Sequence, residues 1–406
     1  MGYRLLQIEL SQKLKAARLA IDQDGFGIVA RWHDRPIGFC MVACRRGQTL
    51  SPVALERIAD KRFASAVLEA RIGEALPTLF PAATAKPSLS VVICTKDRAG
   101  RLTRLLESLR RMEPDPTFRS VEIVVVDNAS VNSATRDAVA GFDGFRYVHE
   151  PRTGLNFARN AALAAASGDL IAYLDDDVVV DRWWLQGLAE AWRSSPDAGG
   201  FTGLVLPFRL NTEAQRLFES RGGFGRGFRR LEFRRERHDN PLFPTGAGSV
   251  GAGCNMAFDR QLLITLGGFD EALDTGAPLP GGGDLDIFYR VLRAGRPMIY
   301  EPRYAVFHDH RETIPQLRRQ YWSWGLGFMA FLSKSRKSDP SAAKSHKAMV
   351  HWWFGDRVKA LAKAIVAGDL RQIGFDLAEL RGGIVGLFGG YRRSQAQVQA
   401  IREASR

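Results

Sequence analysis

The chain has 406 residues, of which 45% are hydrophobic and 25% charged, and a formal net charge of +13. These proportions exclude a wholly disordered chain, and the length allows one large domain with additions. The positive balance calls for an anionic partner or surface: nucleic acid, an acidic membrane leaflet and a phosphorylated substrate all fit its sign.

The first residues, "MGYRLLQIELSQKLKAARLA", carry charges throughout and lack a signal-peptide core. "GIVARWHDRPIGFCMVAC" then predicts two short strands joined at His33-Asp34-Arg35-Pro36, and "SPVALERIADKRFASAVLEARIGEAL" a helix opened by Ser51 and Pro52. "PTLFPAATAKPS" has the composition of a linker. Residues 1–86 therefore read as a small α+β unit without a catalytic cluster.

From Leu89 the pattern alternates. "LSVVICT", "VEIVVVD", "FRYVHE" and "DLIAYLD" predict strands, with helices over "RLTRLLESLRRM", "SATRDAVAGF" and "LNFARNAALAAASG" between them. Strands this apolar are buried on both faces, so helices must flank a mostly parallel sheet. Ligands of such sheets sit beyond the carboxyl ends of the strands. Three of the four strands end in polar residues there: Thr95-Lys96-Asp97, Asp127-Asn128 and Asp175-Asp176-Asp177. "RWWLQGLAEAWRSS" predicts a further helix. Residues 199–283 read as Gly-rich and irregular, "GDLDIFYRVLRAG" as a helix and "RPMIYEPRYAVFHDH" as a short strand or two. The chain from about Ile314 is basic and helical. No window reaches the roughly 18 to 20 apolar residues of a spanning helix. Four cysteines without CxxC or zinc spacing read as reduced thiols, which suits a cytoplasmic protein.

Three adjacent carboxylates repel one another unless something neutralises them. Mg²⁺ or Mn²⁺ prefers oxygen ligands and fills its shell with substrate phosphates, so the triad reads as half a metal site; the bland alternative is a solvated acidic loop. Asp127 can accept from a nucleobase imide or a ribose hydroxyl, or form an Asx-turn in "DNAS". Asp97 can face a ligand or cap the next helix. Asp284, after a glycine run in "PGGGDLD", sits where a general base could act, or it merely stabilises a helix start. His308 in "VFHDH" is a metal ligand or a structural histidine.

"SVVICTKDR", "VEIVVVDNAS", "TGLNFARNAALAAASGDLIAYLDDD", "GAGCNMAFDR", "GGFDEAL" and "GGGDLDIFYRVLRAG" follow in the order and spacing of the family 2 inverting glycosyltransferases, which the chain resembles over roughly residues 88–310. The resemblance implies a GT-A fold, a nucleotide-binding α/β sheet flanked by helices. It places Thr95, Asp97 and Asp127 at the nucleoside, with Arg159 facing the nucleotide. Asp175, Asp176 and Asp177 match the DXD motif, with Asp177, Asp175 and His308 as metal ligands. Asp284 falls on the catalytic base, with Asp286 as fallback. Gly283 stands where the family often has Glu, and the Gln-x-x-Arg-Trp motif of processive members is absent, which argues for single transfers. The implied organisation is an accessory domain over 1–86, a catalytic domain over 87–310 and a helical region over 311–406.

The expected activity is metal-dependent, inverting transfer of a sugar from a nucleoside-diphosphate sugar to a glycan, lipid-linked or small-molecule hydroxyl. A catalytically degenerate, basic scaffold that binds polyanions is the alternative. Seven arginines between Arg221 and Arg237 suit an anionic acceptor better than nucleic acid, since the segment lies inside the catalytic domain, with a plain solvated loop as the alternative. The basic C-terminal helices with Trp352 and Trp353 suit contact with the inner face of a membrane, packing on the domain, or a homodimer. "TKDRAGRL" after the first strand lacks the glycine loop of a nucleotidyltransferase or dehydrogenase.

Overall fold

The computed structural model describes residues 2–75, 86–235, 240, 242–276 and 278–405. Most of the expected linker, residues 77–85, and residues 236–239 of the arginine segment lie outside the described residues.

The first unit contains β1 (Gly2–Glu9), β2 (Ala17–Arg18), β3 (Gln23–Trp32), β4 (Arg35–Ala43), β5 (Thr49–Leu50) and α1 (Pro52–Ala75). β1 runs parallel to β3, which pairs antiparallel with β4. The turn falls at His33 and Asp34, both with positive φ (44° and 64°), and the Glu9 carboxylate accepts from both of their amides. Leu55, Ala59 and Phe63, four residues apart on α1, close a core with Phe26 and Ile28.

The main body follows as β6 (Ser88–Thr95), α2 (Ala99–Arg110), β7 (Ser120–Asn128), α3 (Ala134–Ala140), β8 (Phe145–Glu150), α4 (Leu155–Ala165), β9 (Leu170–Asp175), β10 (Val178–Val180), α5 (Trp184–Ser194), β11 (Gly200–Pro207), α6 (Glu213–Ser220), β12 (Leu231–Phe233), β13 (Asn255–Asp259), α7 (Arg260–Thr265), α8 (Gly283–Arg293) and β14 (Met298–His308). One sheet runs β10-β14-β11-β13-β9-β6-β7-β8, with β12 added on β14. Strands alternate between two cores. Val92 and Val126 face one, while Val91, Ile93 and Val125 face the other, as burial on both faces requires.

The sheet is more mixed than expected. β6, β7, β8 and β9 are parallel, but β13 is antiparallel to both β9 and β11, and β10 and β12 are antiparallel to β14. The stretch read as irregular holds β11 and β13, both in the sheet. Some of its glycines serve turns at positive φ, such as Gly222, Gly227 and Gly267, but others serve close approach inside strands. A Cβ on Gly203 would lie 1.6 Å from the Tyr304 carbonyl oxygen of the neighbouring strand.

The remainder is helical, as expected: α9 (Ile314–Ser338), α10 (Ala343–Val366), α11 (Leu370–Val385) and α12 (Tyr391–Ala404). Thr313 and Gln316 form a capping box that starts α9. No helix among the described residues is long and apolar enough to cross a membrane. All four cysteines are free.

α9 and α11 meet through glycines. A Cβ on Gly382 would sit 2.0 Å from the Trp322 carbonyl oxygen, and one on Gly325 2.1 Å from that of Glu379. Gly355, inside α10, has nothing within 4 Å of the same point. Gly382→Ala should therefore lower stability by about 1–3 kcal/mol through overpacking. Gly355→Ala should raise it by about 0.5–1 kcal/mol, since alanine loses less backbone freedom on folding. Urea midpoints of the two variants, compared with the parent chain, read both effects with opposite sign.

Candidate active site

β6, β7 and β9 run parallel in register, Thr95 beside Asp127 and Cys94 beside Asp175, so their carboxyl ends meet at one edge. Thr95 is buried, and its hydroxyl donates to Asp176 Oδ2 at 2.8 Å. Asp127 is also buried. Its Oδ2 accepts from the Tyr147 hydroxyl at 2.7 Å, while Oδ1 has no hydrogen-bond partner. An Asx-turn at this residue is ruled out, because the carboxylate bonds to a neighbouring strand instead of its own backbone. Asp97 bonds to the loop after β7. It is exposed, at φ +55°, and its carboxylate accepts from Val131 N at 2.8 Å while its own amide donates to Ser130 Oγ, tying two loops together.

The triad follows directly from β9. Asp175 stands 3.8 Å from Arg159 Nη2, and Asp176 accepts from Arg98 Nη1 at 3.0 Å. Asp177 lies 3.3 Å from His308 Nε2, 3.5 Å from Arg101 and 3.6 Å from Arg311. Each carboxylate thus already has at least one cationic neighbour. Burial raises the Asp175 carboxyl, against the opposing pull of Arg159, and Asp177 and Asp176 push it further up. Burial raises Asp176 too. Burial also acts on Asp177, but His308, with Arg311 and Arg98 behind it, holds that carboxyl well below the usual range.

β10 pairs antiparallel with β14, Val178 opposite His308, and this register brings the histidine to Asp177. Behind it, His308 Nδ1 meets His310 Nδ1 at 2.9 Å, and His310 Nε2 meets Glu219 at 2.6 Å. Burial lowers the His310 pKa against the pull of Glu219. Among the described residues no three His, Cys, Asp or Glu side chains are grouped as a ready-made metal cage. Asp177 and His308 nonetheless offer one hard oxygen and one imidazole nitrogen side by side, which fits an ion that takes its other ligands from a phosphate-bearing substrate.

Across the edge, α8 starts after Gly282, whose φ of +100° demands glycine. Asp284 in its first turn is partly exposed and accepts from the amides of Gly253 (3.2 Å) and Leu285 (2.9 Å). Cys254, buried and next to Gly253, accepts at its carbonyl from Asp175 N of the triad at 3.4 Å, and its thiol feels both groups. Its pKa is pushed up by burial first, then by Asp175, Asp177 and Asp284 together. Asp286, two residues on, points elsewhere: it is fully buried and paired with Arg290 at 2.8 Å and with Lys334 of α9. The fallback base is in the core, where an acceptor hydroxyl has no room.

Arg159 is buried and donates to Asp274 Oδ2 (3.2 Å) and Asn156 Oδ1 (3.1 Å) besides facing Asp175. Asp274 was not singled out by sequence. Burial pushes its carboxyl up to about 6, with Arg159 pulling the other way. No local signal marks it, since its partner is 115 positions away. Asp309 likewise escaped notice, although it is buried and binds both Arg104 and Arg209. The arginine segment is mostly structural. Arg221 reaches Tyr321, Arg226 the Gly248 carbonyl, Arg229 Glu69, Arg230 Ser195, and Arg234 Asp197.

Comparison with known proteins agrees with this architecture. Residues 90–267 match the description "Glycosyl transferase family 2". The chain is 28% identical over 252 residues to the Pre-mycofactocin glycosyltransferase of Mycobacterium tuberculosis, covering 61% of this chain and 47% of that one. It is 28% identical over 273 residues to the Succinoglycan biosynthesis protein ExoM of Rhizobium meliloti, covering 65% and 78%. The chain thus spans about half the length of the first of these relatives. Among solved structures, the mannosyltransferase PcManGT of Pyrobaculum calidifontis, in complex with GDP-Man and Mn²⁺, superposes with a TM-score of 0.50 at 17% identity, covering 82% of this chain and 98% of that one. Residues 90–267 are thus similar to glycosyl transferase family 2, and the chain shares the GT-A-like fold of that mannosyltransferase.

Proposed function

We propose that the chain transfers a sugar from a nucleoside-diphosphate sugar to an acceptor hydroxyl, with a divalent metal and inversion at the anomeric carbon. The carrying observation is Asp284. It is a partly exposed carboxylate held by two backbone amides, without a side-chain hydrogen bond among the described residues, and the Gly253 amide that it accepts from adjoins Cys254, whose carbonyl accepts from Asp175 N of the triad at 3.4 Å. A carboxylate so held is oriented yet free to accept a proton. Asp127 Oδ1, buried and unpartnered, is an acceptor for a nucleobase N–H. Arg98, Arg101 and Arg311 around the triad give a diphosphate its cationic surroundings.

Asp177 and His308 would hold the metal, which when bound supplies Lewis-acid neutralisation of the leaving diphosphate. Asp127 and Thr95 keep the donor at the strand ends. Asp284 takes the proton of the acceptor hydroxyl as that oxygen attacks the anomeric carbon from the face opposite the diphosphate. One displacement inverts the configuration. The solved mannosyltransferase carries GDP-Man and Mn²⁺, which makes that pair the first donor to assay. The relative named for succinoglycan biosynthesis supports a glycan acceptor. Residues 1–86 serve as an accessory domain and 311–406 as a helical support.

The C-terminal helices suit a peripheral contact with anionic lipid. Trp352, Val358, Val366, Leu370, Ile384 and Phe388 are exposed, with Lys344, Lys347, Lys359, Lys363 and Arg381 exposed on the same two helices and their junctions.

Asp284→Asn should cut transfer by about 10²- to 10⁴-fold while leaving nucleotide affinity within about twofold. Diphosphate release and calorimetry on one preparation check both, and near-parental turnover would remove Asp284 from the base role. Asp127→Ala should weaken nucleoside-diphosphate binding about ten- to hundredfold, the usual loss for a charged hydrogen-bond partner. Equal affinity in the calorimeter would move the nucleobase elsewhere. The chain should sediment with vesicles containing anionic phospholipid, and a Trp352→Ser/Phe388→Ser variant should stay in the supernatant. A parent chain that never sediments ends the membrane reading.

A further inference from the structure

The residue before Asp284 is a glycine, and the side-chain space beside it is filled. A Cβ on Gly283 would lie 2.2 Å from Asp274 Oδ2 and 2.5 Å from Asn156 Nδ2. The Gly283 amide donates to that same Asp274 oxygen at 3.0 Å. A carboxylate from a loop nine residues upstream therefore occupies the place a side chain at 283 would take.

That carboxylate is clamped from both sides. Asp274 holds a left-handed backbone, φ +57°, unusual for a residue other than glycine. Its carbonyl accepts from Leu155 N, the first amide of α4, at 3.0 Å. Asn156 Nδ2 pins the loop by donating to the carbonyls of Asp270 (2.8 Å) and Leu273 (3.0 Å). The side chain then joins Arg159 of α4 to the first turn of α8. Arg159 faces Asp175 of the triad, and α8 carries Asp284. One carboxylate so couples the two halves of the crevice.

We infer that Asp274 is a positioning residue, a carboxylate supplied from the loop in place of one at position 283, which fixes Asp284 relative to Arg159 and the triad. The inference rests on the proposed role of Asp284. It predicts that the carboxylate can be moved between the two positions. Glycine at 274 keeps the left-handed backbone and vacates the space, and glutamate at 283 refills it.

The test compares Asp274→Asn, Gly283→Glu, Asp274→Gly/Gly283→Glu and the neutral control Asp274→Gly/Gly283→Gln, each by thermal unfolding and by steady-state transfer. Asp274→Asn should lose at least about tenfold in kcat with donor KM within about twofold, since the donor contacts are untouched. Gly283→Glu should lower Tm by several degrees because its Cβ has no room, and both double variants should regain part of that loss, since Asp274 is removed while Asn156 Nδ2 stays within 2.5 Å. Only the double variant with glutamate should restore kcat, to about tenfold or more above the glutamine control. Equal turnover of those two doubles reduces Asp274 to a space-filling role, and parental kcat in Asp274→Asn overturns the inference outright. A parent chain that turns over no donor sinks the transferase reading instead. The Tm values then still decide whether positions 274 and 283 exchange volume, and a double variant no more stable than Gly283→Glu refutes the inference.

Discussion

The site depends on the Arg159 guanidinium, which is buried where apolar strands run out into acid. It stands between Asp175 at the end of β9 and Asp274 in the loop before α8, with Asp284 near enough to raise its pKa further. Carboxylates removed from water this far would neutralise themselves by taking up protons unless a fixed cation faced them. The helix that carries the arginine is rich in alanine, so its backbone packs close to β7, and the long side chain reaches the strand ends. The same logic repeats at Asp177, where His308, Arg101 and Arg311 converge. The difference between the two ends is chemical. Asp175 is pushed toward its neutral form and Asp177 is held firmly ionised. Adjacent residues of one motif are thereby given different charge states by their surroundings alone.

Two supports hold this crevice in shape. β14 aligns His308 with Asp177 through its register with β10, and it also runs parallel to β11, close enough to require Gly203. α9 buttresses the helix of Asp284. Its Lys334 pairs with Asp286, and its Gly327 lies against the Gly281-Gly282 backbone, where an added Cβ would come within 2.9 Å. The helical region after β14 is therefore part of the scaffold of the site. Breaking such a buried pair by removing one partner leaves an uncompensated charge, so Asp286 has a structural role even though it neighbours Asp284.

The small N-terminal unit docks by ion pairs and a strand bridge. Arg31 meets Asp181 in a buried pair, Arg216 meets Asp24, and Tyr3 bridges Leu210. Arg35 and Arg303 share Glu190. Asp181 follows β10 closely in sequence, so this contact reaches to within a few residues of the triad. Several arginines of the basic excess are thus consumed in holding the chain together.

Much was legible from sequence, for a physical reason. Strands buried on both faces must be continuous apolar runs, and parallel strands must end at one edge, so Thr95, Asp127 and the triad could be gathered without coordinates. Helix signals were equally local: the Thr313–Gln316 cap and the glycine run before α8 fix ends within a few residues of themselves. What sequence could not give are the contacts made between distant segments. Gly203 lies in a stretch that reads as irregular, and only the strand about a hundred residues on gives it a place in the sheet. Asp97, just past the end of β6, also closes a loop with Ser130 and Val131, and Asp286, the fallback for Asp284, is covered by α9 while Asp284 stays partly exposed. Asp274 carried no pattern at all, because its partners, Arg159 and the amide of Gly283, meet only in the folded chain. Periodicity determines which face of an element is buried; only tertiary structure decides which charge stands opposite which.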